Sequence, residues 1–259
     1  MEKVYKVILC CSEKQISLQA IKYLKEKGME VVFCIIHGDG SGKVARYCRE
    51  QGIIAFSSEN GYQEDVDMIP EADLLITFSY PKVIKKALIQ KAKYAINFHP
   101  APLPEYRGCA TTSQAIYYQE EFWGVTCHFL TTEIDAGDIV AALKFPLTGE
   151  RFKTGIELSL YSAEKCLELF YEVVERFIKT GKLEGVRKQR ADQGKYFSSK
   201  YLQEMKEIHL EDNPEEIKRK VRALWYPPFE GAYLLIGGKK FYLIEEEILK
   251  QCKALYEIK

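Results

Sequence analysis

Asn97 and His99 stand two residues apart in INFHPAPLPEYRG, and Asp135 lies a short way on in HFLTTEIDAGDIV. On an extended segment residues two apart leave the same face, so the Asn and His side chains share one. An asparagine amide can donate to a developing oxyanion, and an imidazole can take or pass a proton. A carboxylate can fix the imidazole's tautomer and stabilise its charged form. This is the equipment for acyl transfer to an amine without a covalent intermediate. Taken singly, Asn97 could cap a turn, His99 could be a satisfied strand-end histidine and Asp135 an ordinary turn residue. The three types together, in this loop grammar, point to chemistry.

The elements around them must do the positioning. Tyr94–Phe98 reads as a short buried strand, with His99 just past its carboxyl end. Pro100, Pro102 and Pro104 then keep the following loop extended and stiff, because each fixes its own φ and steers the preceding residue away from the helical region. Open α/β sheets bind ligands at this edge. Gly108 ends the loop, a helix starts near Thr111 or Thr112, Val125–Leu130 makes another strand, and Asp135 and Gly137 form an acidic turn.

Upstream, the nearly continuous apolar run Val4–Cys11 is expected to be a strand covered on both faces. A helix over Ser17–Lys27, a strand over Met29–Ile36, a helix over Val44–Glu50 and strands over Ile53–Phe56 and Ala72–Phe78 follow. Lys82–Lys91 reads as a basic helix with a solvated lysine face. The Gly-rich turn HGDGSGK fails as a phosphate loop: His37 stands where a Walker loop needs its first Gly, and Val44 replaces the Ser or Thr. It also fails as a dinucleotide fingerprint, which belongs after the first strand. Strands alternating with helices at these lengths argue for an α/β, Rossmann-like, mostly parallel sheet flanked by helices.

Downstream, Ile139–Leu147 reads as a strand ended by Pro146 and Gly149. Thr154–Thr180 is the longest helix, with an apolar stripe through Ile156, Leu160, Ala163, Leu167, Phe170, Val174 and Phe177. Residues 1–184 are expected to form the catalytic domain, and 185–259 a linker with a small C-terminal module. Within that module QRADQGKYFSSKY reads as a polar linker. Asn213 caps a helix to Leu224, with Pro214 first inside it and Glu216 placed for a capping box. In LWYPPFEGAY two prolines hold Trp225, Tyr226 and Phe229 on an extended, exposed piece that either stacks a base or pins the module down. Ala232–Ile236 and Lys240–Ile244 around Gly237-Gly238 read as a β-hairpin.

Bulk composition narrows the classes. Among 259 residues, 37 Lys and Arg balance 37 Asp and Glu, so a whole-chain basic bias toward nucleic acid is absent. Eight cysteines, Cys252 the last, include no C-x-x-C pair, and neither they nor the four histidines have metal-ligand spacing. With no signal pattern and no apolar run of membrane-spanning length, a cytoplasmic protein that binds neither membrane nor metal is expected.

INFHPAPLPEYRG followed by GVTCHFLTTEIDAGDIV resembles the formyltransferase family that uses 10-formyltetrahydrofolate, whose pattern is N-x-H-x-S-L-L-P-x-Y-R-G, then a strand and L-D-x-G. The chain departs from it at Ala101-Pro102-Leu103. The resemblance covers roughly residues 5–180. It implies that Asn97, His99 and Asp135 are catalytic, that 10-formyltetrahydrofolate is the co-substrate, and that His128 matches a further histidine of the transformylase branch. It also implies a folate pocket near Phe78, Ser79, Tyr80, His128, Thr131 and Ile134. An acceptor site is expected near Arg107, Gly108 and Thr111, with Trp225 and Tyr226. The tail, through YFSSKYLQEM and RALWYPPFEGAY, is similar to the sugar N-formyltransferase branch, which implies a nucleotide-linked amino sugar as acceptor and a homodimer. Methionyl-tRNA and glycinamide ribonucleotide are the alternative acceptors. An inactive folate-binding protein on the same fold is the alternative of another class.

Overall fold

The computed structural model describes residues 3–62, 66–147, 152–190 and 192–250; Gly149 and Cys252 lie outside them. The elements in chain order are β1 (Lys6–Ser12), α1 (Gln15–Glu26), β2 (Glu30–His37), α2 (Lys43–Glu50), β3 (Ala55–Ser57), a 3-10 turn (Val66–Met68), β4 (Ala72–Phe78), α3 (Lys86–Ile89) and β5 (Ala92–His99). Then come β6 (Tyr106–Gly108), α4 (Thr111–Tyr118), β7 (Phe122–Phe129), β8 (Ile139–Pro146) and α5 (Gly155–Thr180). The chain continues through β9 (Lys195–Phe197), α6 (Ser199–Lys206), α7 (Pro214–Leu224), β10 (Tyr233–Ile236) and β11 (Lys239–Tyr242).

Seven strands form one sheet in the order β3-β2-β1-β4-β5-β7-β8. The pairs from β3 through β5 are parallel, and β7 lies antiparallel to β5. The fold is thus α/β and Rossmann-like, with a mostly parallel sheet and a separate two-stranded hairpin of β10 and β11. Val7 through Cys11 have no exposed surface, as a central strand covered on both faces requires. The strand order reverses between β1 and β4, the place where such sheets leave a crevice at their carboxyl edge.

Two compact units emerge from the backbone packing: Met1–Arg107, Gly124–Leu143 and Ser162–Gly194 form the first, and Gly108–Trp123, Lys144–Tyr161 and Lys195–Lys259 the second. In the first, Ile8, Cys10, Phe33, Ile35, Leu75 and Leu88 close one face of the sheet. Phe78, Phe98 and Phe170 interlock as a ring triad with centroids 5.2–5.7 Å apart. In the second, Met205, Ile208, Val221, Ala223, Leu224 and Ala232 make a small core. The hairpin turn has Gly237 and Gly238 at φ +58° and +75°, which two consecutive glycines reach without strain.

Four expectations needed correction. Only Lys86–Ile89 of the Lys82–Lys91 stretch is helical; Val83 is 69% exposed, while Ile84 and Leu88 are buried in the core and Ile89 packs against it. The segment 189–201 is not a featureless linker. It contains β9 and the start of α6, whose Ser198 hydroxyl accepts from Tyr201 N at 3.1 Å. Leu202, Met205 and Ile208 at helical spacing, behind a Ser cap, were the missed signal. Leu160 is 62% exposed, whereas Leu158 takes the buried place on α5. Asn213 does cap α7, its Oδ1 accepting from Glu215 N at 2.9 Å, but Glu216 turns to Tyr117 and Lys220 instead of completing a capping box. Among the described residues no helix is long and apolar enough to cross a membrane.

Candidate active site

The site grows from strand register. Thr77 on β4, Asn97 on β5 and His128 on β7 are directly paired neighbours across three strands. His99, two residues along β5, emerges on the same face. Thr77 Oγ1 donates to Asn97 Oδ1 at 2.6 Å, and Asn97 Nδ2 lies 3.0 Å from His128 Nε2. The loop after β7 then brings in Asp135, whose Oδ2 is 3.6 Å from His99 Nδ1 and whose Oδ1 is 3.4 Å from His128 Nε2. All of these residues belong to the first unit.

Hydrogen bonds fix which atoms carry protons. His99 Nε2 is 2.8 Å from the Tyr106 carbonyl and His128 Nδ1 is 2.9 Å from the Phe129 carbonyl. A carbonyl only accepts, so these two nitrogens bear the N–H. In the neutral rings, His99 Nδ1 and His128 Nε2 therefore present lone pairs. Asn97 must donate to His128 and accept from Thr77, which leaves its second N–H for a ligand. The His128 lone pair is taken by Asn97, so the His99 Nδ1 lone pair beside the Asp135 carboxylate is the one placed to attract a proton or a protonated donor. Burial holds the His99 pKa below the ordinary imidazole value; Asp135 opposes that shift, His128 adds to it, and the Tyr106 carbonyl opposes it. His99 is thus a neutral acceptor near pH 7, with a carboxylate ready to stabilise its charged form.

The proline loop is pinned by Thr126, whose hydroxyl donates to the Ala101 carbonyl at 2.9 Å and accepts from Leu103 N at 3.1 Å. Asp135 itself has φ +53°, a left-handed conformation that costs a non-glycine residue about 1–2 kcal/mol. Gly137 follows because a Cβ there would sit 1.9 Å from the Phe129 carbonyl oxygen.

The remaining candidates divide between the units. Phe78 is buried at the end of β4, and Ser79 has φ +55° with its hydroxyl 3.3 Å from Ser12 Oγ. These residues lie at the β1/β4 reversal. Burial pushes the Tyr80 phenol up to about 12. Thr131 and Ile134 lie on the Asp135 loop, Ile134 42% exposed. Arg107 is half-buried on β6. Gly108, Thr111, Trp225 and Tyr226 belong to the second unit. There Thr111 is buried at the start of α4, the Trp225 carbonyl accepts from Ile156 N, and Tyr226 Oη is 2.7 Å from Ser159 Oγ. Trp225 and Tyr226 are half-buried and only Phe229 is strongly exposed, so the displayed aromatic trio is reduced to one. The His37–Lys43 turn has a physical reason to bind no phosphate. Glu13 accepts from Val44 N and Ala45 N at 2.7 and 3.2 Å, so a carboxylate of the chain itself occupies the start of α2. Among the described residues no group of three or more His, Cys, Asp or Glu is arranged to hold a metal ion.

Sequence reasoning missed Thr77 and Gln189. Thr77 carries no motif signal, and Gln189 sat in a stretch read as linker.

Methionyl-tRNA formyltransferase of Treponema denticola is 29% identical over 191 residues, 73% of this chain and 57% of that protein. The chain spans about half the length of the curated relatives it matches. A 4-N formyltransferase from Francisella tularensis superposes with a TM-score of 0.76 at 22% identity, covering 93% of this chain and 97% of that one. An N-formyltransferase from Helicobacter canadensis, solved with folinic acid and dTDP-3-aminofucose, gives 0.70 at 19% identity, covering 92% and 86%. The profile of the family described as formyl transferase matches residues 17–174, well over half the chain and the whole of the Thr77, Asn97, His99, His128 and Asp135 cluster, so the chain belongs to the formyl transferase family.

Proposed function

We propose that this chain transfers a formyl group from 10-formyltetrahydrofolate to the amine of a nucleotide-linked amino sugar. The observation that carries the transfer chemistry is the Asn97–His99–Asp135 cluster, with a buried neutral imidazole beside a carboxylate. The neutral amine attacks the formyl carbon. The second Asn97 N–H stabilises the oxyanion as it forms. The amine proton passes to His99 Nδ1, and the resulting imidazolium, held by Asp135, also donates to the oxyanion before returning the proton to the folate nitrogen as its bond to carbon breaks. The products are the N-formyl amine and tetrahydrofolate; the proton lost by one nitrogen is gained by the other.

Fold likeness supports the sugar acceptor. It extends over 92–93% of this chain and 86–97% of the Francisella and Helicobacter N-formyltransferases, the latter solved with folinic acid and dTDP-3-aminofucose. Binding roles are assigned on the same reading: Phe78, Ser79, Tyr80, Thr131 and Ile134 to folate, and Arg107, Gly108, Thr111, Trp225 and Tyr226 to the acceptor. A homodimer through the hairpin accords with Leu235, Ile236, Phe241 and Tyr242, each about half exposed. A reducing cytoplasm suits the free thiols of Cys10, Cys11, Cys34, Cys48, Cys109, Cys127 and Cys166.

The test is formyl transfer from 10-formyltetrahydrofolate to a panel of nucleotide amino sugars, glycinamide ribonucleotide and methionyl-tRNA, with His99→Asn as control. Preference for a sugar nucleotide, abolished in the variant, is expected. Turnover of methionyl-tRNA alone would overturn the acceptor, and wild-type turnover by His99→Asn would overturn the mechanism.

A further inference from the structure

A polar contact outside the motif reaches the Asp135 turn. Gln189, in the segment after α5, directs its side-chain Nε2 to the Gly137 carbonyl at 2.5 Å and to the Asp135 carbonyl at 3.3 Å. Both neighbours are acceptors, so the amide must face them with its N–H groups. Its backbone N–H also meets Asp138 Oδ1 at 3.3 Å. The surrounding backbone is tied to β8 by Ile139 N to the Arg187 carbonyl at 2.8 Å and Val186 N to the Ile139 carbonyl at 2.7 Å. The anchor is therefore fixed to the sheet, and all of these residues lie in the first unit.

Two further facts make this contact more than a loop detail. Asp135 holds a left-handed backbone, which persists only where the surroundings over-determine it. Moreover, Gln189 Oε1 is buried with no hydrogen-bond partner among the described residues. A buried unpaired amide oxygen works against stability, so retaining glutamine here calls for an explanation beyond packing. Holding the turn supplies one.

We propose that Gln189 is a positioning residue, whose amide clamps the 135–137 turn so that the Asp135 carboxylate faces His99 and His128. The kinetic consequence rests on the formyl-transfer reading; the structural consequence does not. Without the clamp, Asp135 drifts from the imidazoles, and the charge that supports protonated His99 weakens.

Gln189→Met keeps the length of the side chain and removes the donor; Gln189→Ala guards against a fault peculiar to methionine. Each is expected to lower kcat about 10- to 100-fold, since a misplacement of about 1 Å costs that order, with both KM values within about threefold. In an Asp135→Asn background, Gln189→Met should change kcat by less than about twofold, because the group it positions is already gone. Arg190→Ala, whose side chain pairs with Asp192 and is exposed, should leave kcat unchanged. Nitrogen-15 NMR titration of His99 in the free protein needs no substrate, so it decides the role of Gln189 independently of the acceptor or the reaction. Its midpoint should fall in Gln189→Met. An unmoved His99 titration, or a kcat loss that persists in full in the Asp135→Asn background, would overturn the proposal.

Discussion

Replacing Asp135 by Asn removes one charge and little volume, and the consequence can be worked from two distances. The carboxylate lies 3.6 Å from His99 Nδ1 and 3.4 Å from His128 Nε2, with a side chain only 11% exposed. At an effective dielectric of about 20, a full charge pair at that separation is worth about 4–5 kcal/mol. In the proposed mechanism His99 is neutral in the ground state, so the interaction is absent; it appears as the imidazole gains the amine proton. If half of that charge has developed at the transition state, the loss is about 2 kcal/mol, or roughly 30-fold in rate; a fully formed imidazolium gives roughly 10³-fold. Because the interaction belongs to the transition state, kcat should fall and both KM values should hold. The acid limb of the pH–rate profile should also move to lower pH, since Asp135 is what raises the His99 pKa against burial. The assay is steady-state formyl transfer across pH, with circular dichroism to verify folding. A folded Asp135→Asn variant within threefold of wild-type kcat, or an acid limb displaced upward, would refute this account.

Other outcomes are open to direct measurement. Thr77→Val deletes the donor to Asn97 Oδ1 from a residue that is only 3% exposed and should cost about 1–3 kcal/mol of stability by urea unfolding, together with activity; Thr77→Ser should restore both. The depressed His99 pKa means that the unfolded chain binds this proton first as pH falls. Its contribution to stability is therefore complete above about pH 6.5 and declines below it, by up to about 1.4 kcal/mol per pH unit until the folded pKa is passed. His99→Asn should remove that part of the slope between pH 7.5 and 5. Gly137→Ala forces a methyl against the Phe129 carbonyl and should cost about 1–3 kcal/mol while abolishing activity, whereas an unchanged melting temperature would contradict the close approach. Phe241→Glu, on the exposed hairpin, should yield monomers by light scattering with kcat retained; a dimer that persists would move the interface elsewhere.

What the sequence alone determined is what local periodicity and special backbone chemistry encode. The period of two along a strand put Asn97 and His99 on one face, and the unbroken apolar run at the start made β1 a doubly covered strand. Asn213-Pro214 marked the start of α7, and Gly237-Gly238 marked the hairpin turn, because each rests on a constraint within a few residues. The Lys82–Lys91 helix failed for the converse reason: its lysines, Ala87, Leu88 and Gln90 favour a helix, yet only Lys86–Ile89 forms one, with Ile84 and Leu88 buried, so tertiary context overrode local propensity. Only the tertiary structure decided the rest of the site. Register between strands distant in sequence set His128 opposite Asn97 and Thr77 on its other side. Carbonyls of Tyr106 and Phe129 selected the imidazole tautomers, and Gln189 reached the Asp135 turn from more than fifty residues away. No local pattern carries such information, because strand pairing and burial choose register for the whole sheet at once.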